Sequence, residues 1–163
     1  MLSLLVWFAV PASSSALEEL PIPDDGVYNA EFLIPLSKLE ITIVGSQTDD
    51  PRATVRGTIP FMAPLFEVVN CPYTITTANQ ADTSLISLDQ TILAAAIEVT
   101  NTRLESIPSA FRPTGKLVLE NALNVVYFPN GKSGNESPSF WVTVTTDSPP
   151  GNRIYSRHAV LTE

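Results

Sequence analysis

The chain has 163 residues, a net charge of −8, 44% hydrophobic and 16% charged residues, which is the composition of a single folded domain rather than a disordered one. Residues 1–50 hold eight acids against Lys38 alone, whereas residues 51–163 hold nine acids against eight bases, so the acidity belongs to the N-terminal third. A nucleic-acid partner, which needs a basic surface, is excluded, an anionic membrane surface is disfavoured, and solubility is the simplest account of the charge.

Residues 1–16, MLSLLVWFAVPASSSA, carry no charged side chain, run apolar from Leu2 to Val10 and finish in small residues before Leu17. That layout predicts a signal peptide, hence a secreted or cell-surface acidic protein without a membrane span in its mature form. Residues 17–26, LEELPIPDDG, read as an extended acidic arm, because each proline restricts the residue before it. Such an arm is suited to tethering or to self-assembly by lending a strand to a neighbour. Residues 27–163 are expected to form one domain.

Strands are predicted at 27–36, at 38–44 and at 52–59. KLEITIV sets Leu39, Ile41 and Ile43 against Lys38, Glu40 and Thr42, the period of two of a half-buried strand. Two strands, 66–70 and 73–77, flank an expected turn at Cys71-Pro72. Cys71 is the sole cysteine, so no intramolecular disulfide can form, and a small buried apolar role is expected for it. Residues 92–100 alternate and are rich in β-branched side chains, which favours a strand. A helix near 88–104 is the alternative, with a capping box at Ser87-Leu88-Asp89-Gln90 and Leu88, Ile92, Ala95 and Val99 at helical spacing. Strands at 116–120, 123–128, 139–147 and 153–161 follow, read as an antiparallel meander. With eight to ten strands, the expected architecture is an all-β, antiparallel two-sheet β-sandwich of immunoglobulin-like or jelly-roll type.

Candidates for chemistry are few. His158 is the only histidine and shares a predicted strand face with Ile154, Ser156 and Val160. A structural place at the solvent edge is expected for it rather than that of a general base. The doublets Asp24-Asp25 and Asp49-Asp50 lie in turns, where carboxylates hold the backbone; they are also the weak calcium candidates, without the spaced Asp-x-Asp-x-Asp-Gly pattern. Phe140-Trp141 and Tyr127-Phe128 each give one ring to the core and one to the outer face, and Trp141, Tyr127 and Tyr155 are the binding-surface candidates. Asn135-Glu136-Ser137 matches the N-glycosylation pattern in a loop, although Pro138 directly after it disfavours modification. No catalytic residue, cofactor or firm metal site is assigned.

The expected function is a non-catalytic structural or adhesive binding role toward a protein or polysaccharide. A virion component such as a capsid-decorating or tail protein, retaining residues 1–16, is the alternative. A small extracellular hydrolase using carboxylates ranks third.

Overall fold

A computed structural model describes residues 19–31, 38–59, 64–110, 112–120, 122–148 and 153–162, the first four of the last group by backbone alone. The predicted signal segment, residues 1–16, lies outside the described residues. The elements in chain order are β1 (Gly26–Glu31), β2 (Lys38–Val44), β3 (Arg52–Thr58), β4 (Phe66–Thr77), β5 (Ser84–Leu88), α1 (Gln90–Glu105), β6 (Leu123–Phe128), β7 (Ser139–Thr145) and β8 (Arg153–Thr162).

Every strand pairs antiparallel with the next, and β1 pairs with β8 through Val27 opposite Thr162 and Asn29 opposite Val160. The sheet is therefore one closed eight-stranded barrel, and the two-sheet sandwich expected from the sequence is wrong. Alternation reports only that one face of each strand is buried. The inner face of a sandwich and the lumen of a barrel give the same pattern, and the β1–β8 ladder alone decides between them.

The apolar set faces inward. Ile41 lies opposite Val55, Val55 opposite Val68, and Val125 opposite Val142, all buried. Tyr28, Tyr127 and Phe140 fill the lumen as a ring cluster, with Phe140 centred 4.5 Å from Tyr28 and 5.2 Å from Tyr127. Eight strands leave room for about this much side-chain packing. Outward on β2–β4, Glu40, Arg56 and Glu67 oppose one another, and Arg56 pairs with Glu67 at 2.8 Å and with Glu40 at 3.9 Å. Apolar inside and charged outside on this side is the reverse of a lipid-embedded barrel. No helix among the described residues is long and apolar enough to cross a membrane.

The strand expected at 92–100 is instead the middle of α1. Asp89, not Ser87, caps it: one carboxylate oxygen accepts from the Thr91 and Ile92 amides, both at 3.0 Å. Such a cap contributes about 0.5–2 kcal/mol. The buried face is Leu93, Ile97, Thr100 and Leu104, whereas Ile92, Ala95 and Val99 are exposed, so the helical stripe read from the sequence was rotated by one residue. Leu93 and Ile97 join the barrel core together with Leu117 and Ala122. Asn101 clamps the segment after the helix, donating to the Leu117 carbonyl at 3.0 Å and accepting from its amide at 2.9 Å.

Two further expectations fail. β4 runs unbroken through Cys71-Pro72, because a bulge with Asn70 at φ 50° shifts the register and Pro72 still offers its carbonyl to the Asp89 amide at 2.9 Å. Residues 116–120 are not a strand; the Lys116 backbone exchanges bonds with Asp147, its amide donating to the carboxylate at 2.8 Å and its carbonyl accepting from the Asp147 amide at 2.9 Å.

Candidate functional site

Trp141 on β7 opposes Val126 on β6, which opposes Leu85 on β5, and across β7 it opposes His158 on β8. These residues have the outward parity, so the register lines them up in one row across four strands. Leu85, Val126, Phe128 and Trp141 form the apolar floor of an open groove of about 240 Å³. Asn79, Gln80 and Asn124 supply amide donors and acceptors beside it, and no lining residue is charged. The groove exists because β6 is apolar on both faces: Val125 and Tyr127 fill the lumen while Val126 and Phe128 stay outside.

The expectation that each aromatic pair splits between core and outer face holds, with Tyr127 and Phe140 inside and Phe128 and Trp141 outside. Of the binding-surface candidates, Trp141 lines the groove. Tyr127 does not: it is 1% exposed, and its inward parity removes it from any surface. The side chain of Tyr155 lies outside the described residues. Asn135 is exposed in the β6–β7 connection. The remaining groove residues carried no sequence signal, since only strand register brings them together.

His158 packs on the same row, its ring centred 4.7 Å from Trp141 and 5.3 Å from Phe128, with Nδ1 at 3.0 Å from Ser139 Oγ. Ser139 is 2% exposed, so its hydroxyl orients the imidazole and is closed to a substrate. Burial lowers the His158 pKa below 6.5, Lys132 adds to the shift and Glu136 opposes it. The unfolded chain then binds the proton more readily than the folded one, and stability rises with pH through the window below 6.5. Urea titrations from pH 5 to 7.5 are expected to show that rise, and His158→Gln is expected to flatten it; an unchanged slope in the variant would assign it elsewhere.

The acidic doublets do separate work. The Asp25 carboxylate accepts from the Gly45 and Ser46 amides at 3.0 and 2.9 Å, and bonds from the Ser46 side chain and amide hold its pKa below the usual carboxylate value. Asp50 pairs with Arg52 at 2.8 Å, while Asp49 is exposed. Among the described residues, no three His, Cys, Asp or Glu side chains converge as metal ligands. Cys71 is buried, and desolvation raises its thiol pKa.

Above the lumen tyrosines, residues 21–25 cross the barrel end where β1 begins and β8 finishes. Ser84 Oγ donates to the Pro21 carbonyl at 2.7 Å and Tyr28 Oη to the Asp24 carbonyl at 2.8 Å, with Pro23 fully buried between them. Burial raises the pKa of Tyr28 and Tyr127 and pushes Tyr73 up to about 12. Comparison with protein-family models, with curated proteins and with solved structures gives no match for this chain.

Proposed function

We propose that the protein is a non-catalytic binding module acting outside the cell, and that it engages a polysaccharide of uncharged sugars through the groove on β4–β7. The observation that carries this reading is the groove's chemistry: a half-buried indole and a phenyl ring beside three side-chain amides, without a charge among them. Sugar rings present an apolar face suited to stacking on an aromatic ring and hydroxyls suited to amide donors and acceptors. The open, shallow form suits a chain lying along the surface better than a small molecule enclosed on all sides.

Calorimetric titration with a panel of neutral oligosaccharides tests the reading. At least one is expected to bind, and Trp141→Ala is expected to weaken it tenfold or more, about 1.4 kcal/mol. Binding that is absent, or indifferent to Trp141→Ala, rejects the groove as the site. The extracellular placement rests on the apolar segment 1–16 and has its own check. Intact mass of the naturally produced protein is expected to give a chain starting near Leu17; a chain retaining residues 1–16 overturns secretion by cleavage.

A further inference from the structure

Residues 21–25 are held on the barrel by a set of contacts unlike those that hold the strands. Residues 21–24 belong to no strand, and barrel side chains grip their backbone instead. Ser84 and Tyr28 each donate a hydroxyl to a carbonyl of the segment, at Pro21 and at Asp24, three residues apart. Three residues is one turn of polyproline II, the conformation that a Pro-Ile-Pro sequence favours. Pro23, between the two anchored carbonyls in the chain, is less than 2% exposed, and the segment that holds it ends at Tyr28, whose ring is buried in the lumen with that of Tyr127. Aromatic walls with donors aimed at the carbonyls of an extended proline-bearing chain are the physical basis of polyproline recognition.

A further donor lies at the same end. Tyr73 is 4% exposed, its hydroxyl has no hydrogen-bond partner, and it lies within electrostatic range of both Asp25 and Tyr28. The segment is joined to β1 at Gly26, whose φ of +150° is a backbone conformation that residues with a side chain rarely adopt, so the junction favours glycine. Asp25, just before it, is the anchor to the neighbouring loop through the Gly45 and Ser46 amides.

We propose that this end of the barrel is a binding site for an extended, proline-bearing peptide, and that residues 21–25 occupy it in cis as a displaceable strap. The site is separate from the outer groove and does not depend on the sugar-binding reading. The tethered segment outcompetes the same sequence in solution because its effective concentration is high, so the site is masked until the strap lifts.

The full chain tests this with a fluorescent peptide of sequence ELPIPDDG, residues 19–26. Binding to the unaltered chain is expected to be weak. Asp25→Ala removes the anchor of the tethered strap but leaves the peptide's own aspartate intact, and is expected to raise peptide affinity tenfold or more. Adding Ser84→Ala to that variant is expected to reverse the gain. A folded Asp25→Ala chain that binds the peptide no better than the parent overturns the proposal. Should the variant not fold, hydrogen exchange in the parent decides. The Ser46 amide is expected to exchange by local opening, well ahead of the amides of Ile41 and Val142. Exchange of Ser46 only at the rate of global unfolding makes the strap a fixed part of the fold and rejects the inference.

Discussion

Phe140→Ala is expected to be the most damaging single truncation in the protein, lowering stability by about 3–5 kcal/mol. Phe140 is 0% exposed and touches both lumen tyrosines, so its removal leaves a void that β-strands fixed on both sides cannot collapse to fill. For a chain of this size, roughly 2–4 °C of melting temperature accompanies each kcal/mol, so the loss is easily read by calorimetry or denaturant titration. Phe128→Ala is the control. Its ring is outward on the neighbouring strand, and a small effect, within about 1 kcal/mol, is expected. A larger loss from Phe128 than from Phe140 would mean that the barrel's inside and outside had been assigned the wrong way round.

Asn101→Ala is the second large effect, and its origin is different. One amide side chain satisfies both backbone groups of Leu117, itself only 6% exposed. Deleting it strands a buried N–H and a buried C=O, each costing about 1–3 kcal/mol, so a total loss of roughly 2–4 kcal/mol is expected after partial relaxation. Asn101→Asp separates the two halves of the clamp. It keeps an acceptor for the Leu117 amide but places a charge against the Leu117 carbonyl, and is not expected to rescue fully. Denaturant titration of both variants decides; a loss under 0.5 kcal/mol for Asn101→Ala, the size of an ordinary surface substitution, would show that the clamp is dispensable.

The sequence discloses strands where one face is polar and hides what depends on pairing. β2 is legible to the residue, since KLEITIV alternates without ambiguity and its neighbours keep it half-buried. The sequence marks β6 equally well, yet it leaves Tyr127 a surface candidate, because Val125-Val126-Tyr127-Phe128 is apolar on both faces and parity alone cannot say which face is inside. Pro72 reads as punctuation, although a bulge at Asn70 lets it sit within β4. In 92–100 the β-branched residues favour a strand, and tertiary packing of Leu93 and Ile97 against the core overrides that propensity. Barrel closure, the groove under Trp141 and the contact of Trp141 with His158 are all facts of register between distant segments. No local pattern encodes them.

The β1–β8 ladder also sets an order of events. Val27 and Thr162 are partners far apart along the chain, so the last cylinder wall exists only after β8 has been synthesised. During synthesis β1 and the strands after it must wait as an open, incomplete ribbon with two unpaired borders. Such a chain pays its longest loop-closure entropy last, and its folding is expected to fall among the slow, topology-limited cases, in milliseconds to seconds. The lock that makes the barrel rigid engages only when β8 arrives.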